Sequence, residues 1–195
     1  MSTERIHNFS AGPAVLPLSV VEELQEALPN LCGTGIGLME ISHRSQTFGD
    51  IVDSAMARLR RVLALPEDYE VLLLQGGASM QFCMVAMNLL RGGKADYLDT
   101  GTWSKKAAVE AKRFGDARVV WSGEEVGYSR VPANEEWTAS DGVIYTHYTS
   151  NNTIYGTQYH RPPEAPHLVC DMSSDIASRR IDGSQYDVIY AGAQK

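Results

Sequence analysis

Several residues with reactive or ligand-binding side chains stand directly after apolar runs. Gln75-Gly76-Gly77-Ala78-Ser79 follows one such run and opens a helical pattern. Glycines let a backbone approach a ligand, and the unpaired N–H groups of a helix start favour an anion, with Ser79 adding a hydroxyl. The same Gly-Gly pair also serves as a plain tight connection. Neither G-x-x-x-x-G-K-[ST] nor G-x-G-x-x-G occurs. Trp103, behind Thr100-Gly101-Thr102, offers an indole that can stack on a flat ligand or pack into a core. Asp171 ends an apolar run and can hold a ring nitrogen protonated, ligate a metal or cap the turn at Ser173-Ser174. A metal is disfavoured because Asp175 and His167 complete no sensible ligand set. Lys195 follows Tyr190-Ala191-Gly192-Ala193-Gln194. A lysine partly desolvated behind a strand has a lowered pKa and attacks carbonyls, the alternative being a plain terminal lysine. His43-Arg44 is either a fork for carboxylate or phosphate or a surface loop pair.

The elements that must position these residues are readable from periodicity. Ser19-Val20-Val21-Glu22 fits a capping box, and Val20, Leu24 and Leu28 have helical spacing up to Pro29-Asn30. A second helix is expected over 48–65, with Ile51, Val52, Ala55, Met56, Leu59, Val62 and Leu63 on its apolar stripe. Residues 69–75 form a continuous apolar run expected to be a strand buried on both faces. Helices over 78–90 and 102–114 then alternate with strands over 95–99, 117–121, 143–149, 167–171 and 187–191. This alternation predicts an α/β domain with a mainly parallel sheet, whose ligands bind outside the carboxyl ends of the strands. Phosphate turn, aromatic, hydroxyl, carboxylate and lysine all fall there, a set that suits pyridoxal phosphate. His147 reads as an inward strand residue, while His7, His160 and His167 have no evident partner.

Composition sets the outer bounds. The 195 residues carry 24 acidic and 17 basic side chains, a formal net charge of −7, with 44% apolar and 21% charged residues. These proportions exclude disorder, collagen-like repeats and a disulfide scaffold, and the length favours one domain. The acidic balance argues against a nucleic-acid partner. Arg58, Arg60 and Arg61 read as a solvated helix face. Cys32, Cys83 and Cys170 are far apart without C-x-x-C, and are expected to be small buried hydrophobes in a reduced compartment. No apolar run opens the chain and none approaches the ~18 residues of a membrane span, so the expectation is a cytoplasmic protein without membrane contact. The glycosylation pattern at Asn151-Asn152-Thr153 carries no weight there.

Asn8-Phe9-Ser10-Ala11-Gly12-Pro13-Ala14 with Leu16-Pro17, Glu40-Ile41-Ser42-His43-Arg44, Gly76-Gly77-Ala78-Ser79 with Gln81-Phe82, and Tyr190-Ala191-Gly192-Ala193-Gln194-Lys195 resemble the phosphoserine aminotransferase family. That family belongs to the class V aminotransferase group of fold-type I pyridoxal-phosphate enzymes. The resemblance implies a three-layer α/β sandwich like the large domain of aspartate aminotransferase. Residues 1–15 would be an N-terminal arm, and 16–195 the N-terminal part of the cofactor-binding large domain. Family members continue past the lysine into the rest of that domain and a small C-terminal one, so the chain is expected to be truncated on its C-terminal side.

By the same resemblance, Ala78 and Ser79 would bind the cofactor phosphate, Trp103 would stack on the ring, and Thr153 would hydrogen-bond the ring hydroxyl. Asp171 would pair with the pyridine nitrogen, Gln194 would contact the phosphate, and Lys195 would be the Schiff-base lysine and proton carrier. His43 and Arg44 would bind the anionic end of the substrate. Some relatives carry Gly-Arg where this chain has Ala78-Ser79, so here backbone and hydroxyl replace a guanidinium. The implied reaction is reversible transamination of 3-phosphohydroxypyruvate with L-glutamate, giving O-phospho-L-serine and 2-oxoglutarate. It serves L-serine biosynthesis and leaves open a use in pyridoxine biosynthesis. The implied assembly is a homodimer in which the neighbouring subunit completes each phosphate site. The alternatives are another class V aminotransferase or a cysteine desulfurase, or a non-catalytic α/β binding fragment.

Overall fold

Residues 5–193, described here by a computed structural model, divide between Val71 and Leu72 into two units. Gln194 and Lys195 lie outside the described residues.

In the first unit, α1 (Leu18–Ala27) starts at Pro17, whose φ is −53°, with no side-chain cap. The proline ring already holds a φ suited to helix entry, so Ser19 falls inside the first turn and the expected capping box does not form. α2 (Gln46–Val62) is capped by Ser45, whose hydroxyl accepts the Phe48 N–H at 3.2 Å. Arg60 is no solvated residue: its guanidinium donates to the carbonyls of Pro66 (2.9 Å), Glu67 (3.0 Å) and Tyr69. Arg58 and Arg61 are exposed, as expected. Leu31 and Leu63 are the buried apolar residues among those described in this unit.

The run 69–75 is not a strand. An apolar run becomes one only where a neighbouring edge accepts its backbone groups, and none pairs with it among the described residues. Leu72, Leu73 and Leu74 are consequently 69%, 61% and 54% exposed.

The second unit opens with α3 (Gly77–Val85), which continues as one π-helical turn, Ala86–Leu90. β1 (Lys94–Asp99), α4 (Thr102–Ala111), β2 (Asp116–Ser122), β3 (Val143–Thr149), the hairpin β4 (Asn151–Asn152) and β5 (Thr157–Gln158), β6 (Leu168–Asp171) and β7 (Val188–Tyr190) follow. Five strands pair in the order β2-β1-β3-β6-β7, every pair parallel. This is the α/β architecture that the alternation predicts.

One face of the sheet packs under α3 and α4, with Phe82, Val85, Leu90, Tyr97, Tyr145 and Tyr190 among the buried members. The other carries Leu98, Tyr148, Leu168 and Cys170 beneath Trp137, Tyr159, Met172 and Tyr186. α4 meets the sheet through Ala107, Ala108 and Ala111, opposite Ala95 and Ala117. Small residues on both sides let the helix lie close, which fixes the height of its N-terminus at the sheet edge. Of the cysteines only Cys170 is buried; Cys83 is half-buried and Cys32 exposed at a positive φ of 51°. The turn that carries Cys32 lies at the surface, so its thiol does not pack inward as expected. No helix among the described residues is long and apolar enough to cross a membrane.

Because Ala111 is fully buried, Ala111→Leu is expected to destabilise the fold by about 1–3 kcal/mol. A lowered urea midpoint at unchanged m-value is the expected result.

Candidate active site

The chain runs from β1 outward to β2, then returns past β1 to build β3, β6 and β7 on the other side. The sheet order therefore reverses between β1 and β3, and in open parallel sheets a ligand crevice forms outside the carboxyl ends at such a point. Asp99 closes β1 and organises the loop beyond it. Its Oδ1 accepts from the Gly101 N–H (3.2 Å) and the Ser104 hydroxyl (3.0 Å). Its Oδ2 accepts from the hydroxyls of Ser122 (3.0 Å) and Tyr128 (3.1 Å). Four donors satisfy this buried carboxylate, which makes it a structural group. Ser104 also accepts the N–H groups of Thr100 (2.9 Å) and Gly101 (3.0 Å), locking the entry to α4.

Asn152 reaches across the reversal point and donates Nδ2–H to the Thr100 carbonyl at 2.7 Å. Gly101 has φ 151°, and a Cβ there would run into the Asn152 amide and the Tyr155 ring. Behind β3, the Ser150 hydroxyl lies 3.0 Å from the Asp171 carbonyl and in contact with the Asp175 carboxylate. Asp175 also accepts from Gln158 Nε2 (3.1 Å) and pairs with Arg179 (3.1 Å), so one carboxylate ties together the loops after β3 and β6.

The expected site residues fall as follows. Asp171 ends β6, is 4% exposed, and through Oδ1 accepts the Ser173 N–H (3.0 Å) and hydroxyl (2.6 Å). It thus caps the following turn, one of the readings left open by the sequence, and that bond holds the carboxylate at the crevice. Thr153 is half-buried in the β4–β5 turn, directly after Asn152. Trp103, half-buried in the first turn of α4, packs against the helical-face core with Lys106 Nζ 4.9 Å from its ring centroid.

Ala78 and Ser79 occupy the first turn of α3, behind Gly76 at φ 97°. Ser79 and Thr102 line a groove of about 540 Å³ between α3 and α4, together with Phe82, Cys83, Lys105 and Lys106. Trp103, Thr153 and Asp171 do not line that groove. His43 and Arg44 belong to the first unit, exposed in the turn before α2, where the Arg44 N–H meets the Ser42 hydroxyl at 3.2 Å. The expectations for Gln194 and Lys195 fall outside the described residues.

Sequence reasoning missed Asp99, Ser104, Asn152 and Asp175. Asp99 carries the signal that singles out Asp171, a strand-final carboxylate before a turn, and Asn152 itself figures in the sequence only as part of a glycosylation pattern. Thr100 Oγ1, Thr149 Oγ1 and Asn152 Oδ1 are buried at this edge without hydrogen-bond partners. Each such atom costs about 1–3 kcal/mol unless a ligand or water pairs it. Deeper on β3, His147 is 2% exposed, and burial pushes its pKa down to about 3, so it is neutral.

Residues 6–195 match the aminotransferase class-V family, and the chain belongs to that family. Among curated relatives, the phosphoserine aminotransferase of Desulfotalea psychrophila is 50% identical over 194 residues, covering 98% of this chain and 54% of the relative. That of Shouchella clausii is 51% identical over 192 residues, covering 97% and 52%. The solved phosphoserine aminotransferase of Bacillus circulans subsp. alkalophilus superposes with TM-score 0.93 at 45% identity, over 99% of this chain and 54% of that one. A pyridoxal-phosphate-bound phosphoserine aminotransferase from Trichomonas vaginalis gives TM-score 0.89 at 37% identity, over 98% and 58%. The chain thus spans about half the length of the curated relatives it matches.

Two measurements check this construction. Gly101→Ala combines a left-handed φ with a clash, and is expected to cost about 2–4 kcal/mol in urea unfolding. His147 titrates near 6.5 when unfolded and near 3 when folded, so between these values the unfolded state binds more protons. Its contribution is complete above about pH 6.5 and is lost as pH falls toward 3, with a slope of at most ~1.4 kcal/mol per pH unit. Unfolding free energies of His147→Gln are expected to lack that slope.

Proposed function

We propose that the protein carries out pyridoxal-phosphate-dependent, reversible transamination of 3-phosphohydroxypyruvate with L-glutamate, giving O-phospho-L-serine and 2-oxoglutarate. The observation that carries this reading is the buried Asp171 carboxylate at the carboxyl edge of a parallel sheet, beside unpaired Thr100, Thr149 and Asn152 oxygens. A flat, phosphorylated heteroaromatic ring fits that donor set: an acid for its nitrogen, polar atoms at its rim, and a helix start for its phosphate.

In this reading the first-turn N–H groups of α3 at Ala78 and Ser79, the Ser79 hydroxyl and Gln194 hold the phosphate. Trp103 covers one face of the ring and Thr153 donates to or accepts from the ring hydroxyl. Asp171, oriented by its bonds from Ser173, stays ionised and keeps a proton on the ring nitrogen. Pyridoxal phosphate, when bound, supplies the electron sink. Lys195 would anchor it, take the proton from the substrate's α-carbon as base, and deliver it as acid to the cofactor carbon. Arg44 and His43 take the substrate's anionic end.

Residues 1–15 are read as an arm and 16–195 as the N-terminal part of the cofactor-binding domain. The assembly is a cytoplasmic homodimer, as the family resemblance implies.

Amino transfer to 2-oxoglutarate from phosphoserine, serine and alanine by the intact protein tests the substrate. Phosphoserine is expected to be favoured by at least ~100-fold in kcat/KM, and equal rates would overturn the assignment. Added pyridoxal phosphate should give a visible absorbance band that Lys195→Ala abolishes.

A further inference from the structure

β6 runs between β3 and β7, with Thr149, Asp171 and Tyr190 in register across the three strands. His147 and Val169 lie one row deeper. Strand alternation puts His147, Thr149, Asp171 and Tyr190 on one face, the face beneath α3 and α4. His147 Nε2 and the Tyr190 hydroxyl are 2.8 Å apart, so the pair bridges β3 to β7 across the middle strand, just beneath Asp171. Both side chains are wedged in place. The Tyr97 ring stacks on the imidazole at 4.8 Å and 24°, and Phe82 meets Tyr190 edge-on at 6.2 Å.

The proton on this neutral imidazole can be assigned. Nδ1 is buried without a partner. An orphaned buried N–H is rarer than an under-used acceptor, so the proton belongs on Nε2 and Nδ1 keeps its lone pair. Nε2–H then donates to the Tyr190 oxygen, which leaves the tyrosine's own proton for another acceptor. Asp171 is the charged acceptor on the same edge. After burial, its charge is the next cause that lifts the Tyr190 hydroxyl well above its ordinary pKa, so that hydroxyl keeps its proton.

We propose that His147, acting through Tyr190, is a positioning residue for Asp171: the imidazole turns the tyrosine O–H toward the carboxylate and favours its ionised form. The proposal rests on the reading of Asp171 as partner of the cofactor's ring nitrogen. It concerns a tyrosine and a histidine to which the proposed reaction gives no task.

The test uses the intact protein loaded with pyridoxal phosphate and follows the pH midpoint of its visible absorbance band. Tyr190→Phe removes one oxygen and should shift that midpoint by about one pH unit, the tenfold change expected for one hydrogen bond to a charged group. His147→Phe should shift it equally, and the double variant no further, because the two act as one unit. His147→Gln, which keeps an N–H donor, should recover most of the shift. Nitrogen-15 shifts of the His147 ring, measured without cofactor, should show the Nε2–H tautomer. A folded Tyr190→Phe with an unmoved midpoint, additive shifts, or an Nδ1–H ring would overturn the proposal alone. A wild-type protein that develops no band would overturn the reading of Asp171 beneath it.

Discussion

The hydrogen bond from Asn152 to the Thr100 carbonyl joins the two loops between which the sheet reverses its order. A parallel sheet supplies a crevice at that point but not its depth, which is set by how closely the loops after β1 and β3 approach. Here the approach is tight enough to leave no room for a side chain at Gly101. Asp99 and Ser104 hold the first loop from below, and Asp175 holds the second to the loop after β6. Trp103, Thr153 and Asp171 therefore sit on segments already tied to each other. A site built this way is organised before any ligand arrives, and a ligand pairing its unsatisfied oxygens gains energy without first ordering the loops.

Beneath that edge the sheet is unusually polar for a core. Tyr97 and Tyr145 share a hydroxyl contact of 2.7 Å, and His147 and Tyr190 one of 2.8 Å, all at 7% exposure or less. Burial raises the tyrosine pKa values and lowers that of the histidine, so all four stay neutral. In such surroundings a hydrogen bond weighs more than in water, and so does its loss. The alanines of α4 complement this arrangement: the bulk on this face comes from the strands, and the helix lies close over them.

Much of the fold was legible because its signals are local. The strand over 143–149 is found at the bounds its apolar pattern indicates, and α2, α4, β1 and β2 agree to within a few residues. Trp103 follows β1 and Asp171 ends β6, the positions that the pattern gives them. What was illegible depends on distant partners. Asp99 is defined by Ser122 and Tyr128, 23 and 29 residues away, and no window on the sequence links them. The β4–β5 hairpin has two-residue strands, too short for any period to register. Arg60 looked like a surface charge because its acceptors are carbonyls of the following loop, which have no residue signature. Residues 69–75 have the composition of a buried strand, but whether a run becomes a strand depends on a neighbouring edge, and composition does not report that.

Those leucines also bear on how the protein is made. Leu72, Leu73 and Leu74 precede every strand of the sheet in the chain. At synthesis rates of about 5–20 residues per second, the ~115 residues from there to the end of β7 take roughly 6–23 s to emerge. Throughout that interval the ribosome-bound chain presents an extended apolar segment with its backbone groups unmatched, the kind of template that recruits strands from other nascent chains. Glu67, Asp68 and Glu70 stand immediately upstream, three like charges that repel a second copy of the same segment. In the growing chain the acidic cluster thus works as a guard on the leucines, and neutralising it would be felt in the yield of soluble protein before any effect on the finished fold.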